Sequence, residues 1–241
     1  MAVVVLTNGR MYAGGLNLSG QTNKMELEIE ADELDVSSIQ DSWDATVLGR
    51  KRASLSAEGF WAAGAGAPDD LYALLGTSVP ITVLPDGADG SVGYSLQSLP
   101  VKYTPVDSGA GDVMKFTLEA KGGVGRAVKG TVMHSDAVAR TATGNGVARQ
   151  LGAVSASQRV YAALHVIEAS GASPTLNVVL ASDDAGGFPS STSRIAFTQA
   201  TSTGVEWKEL AGPITDDYWR IQYTIGGSTP SFKFVVLIAI L

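Results

Sequence analysis

The sequence predicts an all-β protein of two domains, and three observations carry that prediction. Glycine is abundant, at 28 of 241 residues, and only 17% of the residues are charged. Apolar and polar residues alternate over short stretches, and clusters of turn-forming residues separate those stretches, as strands joined by turns require. The chain also exceeds the common domain size of about 100 to 150 residues. Between His134 and Gln150 the text turns small and polar, with Asn145-Gly146 as a turn signal. A boundary near residue 145 follows, giving domains 1–145 and 146–241 with no repeat evident between them.

Element by element, the expected strands of the first domain are "AVVVLTN", "RMYAGGLNLSG", "KMELEIEAD", "RKRASLSAEGFW", "VPITVLP", "GYSLQSLPVKYTPV", "VMKFTLEAKG" and "AVKGTVMHS". One short helix, "APDDLYALLG", is expected among them. Pro68 suits its first turn, Asp69 and Asp70 suit the positive N-terminal end, and Gly76 suits the cap. "GGVGRAVKG", residues 122 to 130, lacks the strand-before, helix-after setting and the Lys-Ser/Thr pair of a phosphate loop, and reads as a hairpin turn. The second domain supplies "SQRVYAALHVIEA", "PTLNVVLASDD", "SRIAFTQA", "VEWKELAGPI", "DYWRIQYTIG" and "SFKFVVLIAIL". In "DYWRIQYTIG" the odd-numbered Trp219, Ile221, Tyr223 and Ile225 share one face, which places Trp219 in a core. So many short strands in about 95 residues suit an immunoglobulin-like or jelly-roll β-sandwich.

Neither terminus reads as a membrane element. The apolar start is too short for a signal-peptide core and has no basic residue ahead of it. "FKFVVLIAIL" falls short of the roughly 18 apolar residues of a spanning helix and is interrupted by Lys233, so it is expected to be a final strand buried on both faces.

The charge is unevenly placed. Residues 1–145 hold 11 basic and 17 acidic residues, and 146–241 hold 6 and 7, within a net charge of -7. Such a balance argues against gripping nucleic acid through its phosphates. Within "NKMELEIEADELD", Met25, Leu27 and Ile29 alternate with Glu26, Glu28 and Glu30, so a strand projects these carboxylates from one face. Like charges in a row repel. The face is therefore either a solvated outer surface or one that presents negative charge for a purpose. After it comes a connection of about 14 residues, longer than the usual 2 to 5 of a hairpin. It contains Asp35, Asp41, Trp43 and Asp44 and leads into Arg50, Lys51 and Arg52. Trp43 either folds back over its own core or anchors into a neighbouring chain.

Catalytic chemistry finds little support. The chain has no cysteine, hence no disulfide, thiolate nucleophile or zinc-thiolate site. Of its two histidines, His165 lies among apolar neighbours and reads as packed. His134 falls in the expected linker with no triad partners nearby. Asp183-Asp184 beside Gly186-Gly187 reads as a solvated turn, with a calcium loop as the alternative. Trp207 and Tyr218 are the residues a sugar-stacking platform would use. No metal or cofactor is expected, and no catalytic residue is assigned.

The order acidic strand, "ELDVSSIQDSW" loop, strand closing on "EGFW", then "DDLYALLG" resembles the major tail tube proteins of long, non-contractile-tailed bacteriophages. The stretches "GNGVARQLGAVSASQRVYAALHV" and "GPITDDYWRIQYTIGGSTPSFKFVVLIAIL" are similar to a β-sandwich appended to structural proteins of such phages. The resemblance implies a non-enzymatic virion protein: a tail-tube β-sandwich/barrel domain over 1–145 and a decorating C-terminal β-sandwich over 146–241. It also implies rings, commonly of six, stacked into a conduit closed by strands from all subunits. Glu26, Glu28 and Glu30 would then line the lumen, so that DNA passes without specific binding. Asp35, Asp41, Trp43, Asp44, Arg50 and Arg52 would contact the adjacent subunit or the next ring. Expected partners are copies of itself, the tape measure and other tail proteins, with no membrane. The expected location is the virion tail after assembly in the host cytoplasm. The alternative is a lectin-like virion surface protein that contacts glycan through Trp207 and Tyr218. A glycan hydrolase would need two facing carboxylates, and nothing in the sequence points to them.

Overall fold

The computed structural model describes residues 6–40, 42–61 and 67–241. As the alternation predicts, it is nearly all β. In chain order the strands are β1 (Arg10–Ala13), β2 (Leu16–Asn17), β3 (Thr22–Asp35), β4 (Thr46–Phe60), β5 (Val79–Leu84), β6 (Val92–Thr104), β7 (Lys115–His134), β8 (Gly144–Asn145), β9 (Arg149–Gln150), β10 (Arg159–Asp183), β11 (Thr192–Ala196), β12 (Gly204–Ala211) and β13 (Tyr218–Ile240). The helix α1 (Ala67–Leu74) lies between β4 and β5, and Gly76 behind it takes a positive φ of 75°. The expected first strand, "AVVVLTN", falls largely outside the described residues. What is described of it ends in a single bridge from Asn8 to Asp86.

The chain forms two compact units. Unit 1 comprises Met1–Gly20, Val79–Ser95 and Val128–Leu241, and unit 2 comprises Gln21–Ser78 and Leu96–Ala127. The boundary expected near residue 145 is not where these units divide, and strand pairing is the reason. β1 pairs with β5, while Thr131, Val132 and His134 at the end of β7 pair with β13. Both ends of the expected first domain are thereby held in the unit that contains the C-terminal half.

Unit 1 is built on a ribbon of two very long strands. β10 and β13 are antiparallel from Val160 opposite Ile240 to Asp183 opposite Tyr218, with register shifts between Val166 and Thr175. Four separate strands were expected here, and the structure joins them in pairs across two matching bends. Gly171-Ala172-Ser173-Pro174 and Gly227-Ser228-Thr229-Pro230 repeat one pattern, and Gly171, Ser173, Gly227 and Thr229 all have positive φ, from 48° to 115°. The bends interlock. A Cβ on Gly171 would lie 2.8 Å from the Thr229 carbonyl oxygen, and one on Gly227 would lie 2.7 Å from that of Ser173. Only glycine permits both the left-handed backbone and so close an approach.

Bent at this point, the ribbon brings its two halves around one core. Val160, Ala162, Leu164, Phe234, Val236 and Ile238 from one half meet Leu176, Val178, Leu180, Trp219, Ile221 and Tyr223 from the other. The odd-numbered Tyr161, Val235, Leu237 and Ala239 point the other way and pack with Tyr12, Leu84, Val128 and Val132. The final strand is thus buried on both faces, as its unbroken apolar run predicts. β12 and β11 extend the ribbon along opposite halves of β10.

In unit 2, β4 pairs with β3 on one side and β7 on the other, and β6 lies beyond β7. Leu55, Ala57, Phe116, Leu118, Ala120, Leu96 and the helical Leu71 are buried as its core. The hairpin turn expected at residues 122–130 is absent, since β7 runs straight through it. Glycine in a strand serves close backbone approach as well as turning. At Gly130 a Cβ would run into the backbone of Ile238.

Candidate functional site

The feature of unit 2 most exposed to its surroundings is the far half of the β3–β4 hairpin. β7 pairs with β4 only from Ser54 to Phe60, whereas the β3–β4 ladder continues to Asp35 opposite Thr46. Beyond Ser54 the hairpin is therefore a two-stranded arm. The connection spans residues 36–45 and is shorter than the expected 14 residues, because β4 starts four residues before Arg50. The register shift between Ala31 and Glu33 lets the ladder continue past that point.

The loop is shaped by its own polar groups. The Asp35 carboxylate accepts the Ser37 N–H at 2.8 Å, the Ser37 hydroxyl accepts the Ala45 N–H at 2.8 Å, and the Val36 N–H donates to the Ala45 carbonyl. Hydrogen bonds from Ser37 hold the Asp35 carboxyl below its usual range. With the loop closed in this way, its apolar side chains point outward. Trp43 is 85% exposed and Ile39 fully exposed, so Trp43 is no lid on its own core. Val36, Leu34 and Leu48 are exposed as well. Arg52 pairs with Asp32 at 2.5 Å, while Arg50 and Lys51 have no ion-pair partner among the described residues. Asp44 is exposed, and Asp41 lies outside the described residues.

The register shows what surrounds the acid row. Residues directly opposite one another share a face, so Glu26, Glu28 and Glu30 stand beside Ser56, Ser54 and Arg52 of β4, and beyond them Glu119 and Lys121 of β7. All three glutamates are exposed. Cations punctuate the face: Lys24 lies 3.6 Å from Glu26 and 3.7 Å from Glu58, and Lys102 lies 2.7 Å from Glu119. Glu28 and Glu30 remain without an ion pair among the described residues. On the opposite face Met25 and Leu27 are half-buried, but Ile29, where the arm begins, is 50% exposed.

No family model and no curated relative matches the chain. Among solved structures it is similar to a chain of the virion of a native gene transfer agent particle, at 14% identity and TM-score 0.40, covering 52% of this chain and 97% of that one. It is also similar to a chain of the sheath-tube complex of an extracellular contractile injection system, at 11% identity and TM-score 0.43, covering 54% and 93%. The SPP1 Dit protein, described as a hub adsorption apparatus of phages infecting Gram-positive bacteria, is similar over 97% of this chain and 99% of its own at 14% identity and TM-score 0.32.

The other residues singled out by sequence lie in unit 1, where most are structural. His165 is fully buried: its Nδ1 lies 2.7 Å from the Gly14 carbonyl and its Nε2 2.7 Å from the Thr82 hydroxyl, fixing a neutral ring that donates from Nδ1. Burial lowers its pKa to about 4 despite the bond to Gly14. His134 is not in a linker. Its Nδ1 donates to the Phe234 carbonyl, its Nε2 accepts from Arg140, and its ring stacks on Phe234 at 4.1 Å. Burial lowers its pKa too.

Asp183 is buried and closes its own turn by accepting the N–H groups of Ala185 and Ser190. Burial would raise its pKa, but those bonds win and lower it, while its contact with Asp184 raises the latter's. Among the described residues no cluster of three or more metal-ligating side chains occurs, and no helix is long and apolar enough to cross a membrane. Trp207 is half-buried over Tyr161 and donates to Glu209 at 3.2 Å, opposite Ala163. Tyr218 stands opposite Asp183 on the other half of the ribbon.

Val106, expected to end one strand, and Val113, expected to begin the next, both lie instead in the loop of residues 105–114, where they are exposed. Only a valine at each end of "VDSGAGDV" could have signalled it.

Proposed function

We propose that the chain is a structural, non-enzymatic subunit of a bacteriophage tail, which assembles with its own copies into stacked rings, commonly of six, around a channel for DNA. The arm carries this reading. A two-stranded ribbon is marginal in water by itself, and one ending in exposed Trp43 and Ile39 fits a segment that completes its packing against a neighbour. Strand β3 adds a second opportunity, since among the described residues it pairs only with β4; a strand from an adjacent copy on its outer edge would extend the sheet toward a closed barrel. Glu26, Glu28 and Glu30 then face the lumen, where Glu28 and Glu30, neither in an ion pair among the described residues although Arg52 stands beside Glu30, keep DNA phosphates from adhering. The acidity suits this placement, because unit 2 holds 14 acidic and 8 basic residues. The tape measure and other tail proteins are the further partners, and assembly takes place in the host cytoplasm.

Electron microscopy of the purified, concentrated protein, with and without salt, tests the reading. Rings or hollow tubes are the expected result. Monodisperse single copies under every condition, together with saturable glycan binding, would overturn it in favour of a lectin-like role.

A further inference from the structure

The arm end and the loop 105–114 stand at opposite ends of the same strand. β4 begins with Thr46 at the arm end and finishes with Phe60 opposite Lys115, a span of about 45 Å at the rise of a β-strand. Both ends expose apolar side chains: Val36, Ile39 and Trp43 at the first, and Phe60, Val106 and Val113 at the second. Most of the exposed large apolar side chains among the described residues belong to unit 2.

The loop at the second end is firmly shaped. The Ser108 hydroxyl accepts the Lys115 N–H at 3.0 Å and lies 2.8 Å from the Val113 carbonyl, and the Asp107 N–H donates to the Lys115 carbonyl at 3.2 Å. Its valines thus stay outside with no internal partner to cover them. Its charged residues are Asp107 and Asp112, both exposed. The arm's cations without an ion pair among the described residues are Arg50 and Lys51, whereas Arg52 is held by Asp32.

Resting on the self-assembling reading above, we propose that the arm of one copy docks on the 105–114 loop of a second copy, with Arg50 and Lys51, which leave β4 on opposite faces, pairing one each with Asp107 and Asp112. The patches are different surfaces at opposite ends of one strand, so the contact is heterologous. Each copy gives its arm to one neighbour and its loop to another, and the series continues instead of closing in a pair. Burial of Trp43 and the branched side chains holds the contact. The charges fix its register and suppress arm-to-arm encounters.

The absence of cysteine makes the test clean. Chains carrying both Ile39→Cys and Val113→Cys are oxidised and run under non-reducing denaturing conditions. A ladder of covalent multimers is expected, while either single variant gives dimers at most and an equimolar mixture of the two gives only heterodimer. The ends are too far apart to cross-link within one chain. Adding Arg50→Glu and Lys51→Glu should reduce the ladder at least fivefold, and further adding Asp107→Lys and Asp112→Lys should restore it. Abundant dimer from Ile39→Cys alone, no cross-linking at all, or a ladder indifferent to charge reversal would each overturn the docking. Rings in the microscope would still leave the tail reading standing in those cases. A ladder without rings would support the docking and count against the tail reading.

Discussion

At the scale of single residues, Gly171 and Gly227 are constrained twice over. Each has a positive φ, and each faces a carbonyl oxygen of the other's bend. An alanine at either position is expected to destabilise by about 1–3 kcal/mol, the range for a strained backbone conformation. Gly187→Ala, at a site with nothing within 4 Å, serves as a control and should stay within about 0.5 kcal/mol of the parent. Denaturant midpoints measure all three. His165 makes a different prediction. Its folded pKa of about 4 lies below the unfolded value of 6.5, so between these values the unfolded chain binds the extra proton and stability falls as pH falls. Above pH 6.5 the effect vanishes, and by pH 4 it amounts to about 3 kcal/mol. His134 is shifted in the same direction. Unfolding curves from pH 7 to pH 4, with the His165 ring followed by NMR, would show the loss; a His165 resonance titrating near 6.5 would contradict it.

At the scale of elements, legibility varied with what the local pattern encodes. Period-two alternation made β3 and the first part of β13 readable, and the unbroken apolar run made the doubly buried end of β13 readable, because in each case the side chains record which faces are covered. Strand continuity was less readable. Glycines at 122–130 and the Gly-x-Ser/Thr-Pro bends look like turns locally, but their partners lie far away in sequence, so only tertiary pairing reveals that β7, β10 and β13 run through them. The candidate site was half legible. The polar loop with its lone Trp43 marked the arm, while the companion loop at 105–114 carries no aromatic residue and no periodicity. For the arm itself, Trp43→Ala should change the unfolding free energy of the isolated chain by less than about 0.5 kcal/mol, since the ring is 85% exposed. It should sharply reduce assembly seen by sedimentation. A large loss of stability with intact assembly would show that the ring serves its own fold.

At the scale of the whole molecule, the two units are differently built. Unit 1 buries long strands between two apolar cores, whereas unit 2 sends out an arm beyond the reach of β7. Local opening follows such differences in burial. Amide hydrogen exchange of the unassembled protein should therefore be fastest in residues 29–53 and slowest in β10 and the second half of β13. Assembly should slow exchange in the arm and in 105–114 while leaving the ribbon unchanged. Uniform protection before assembly would count against an uncovered arm.

The interlocked bends of β10 and β13 also bear on descent. Each glycine leaves room for the other bend's carbonyl, so a side chain at one position spoils the geometry that the second exists to fit. Homologous chains that keep both bends are therefore expected to keep both glycines, 56 positions apart in the sequence, and a related chain with the same bends and a side chain at only one of the two positions would contradict that coupling.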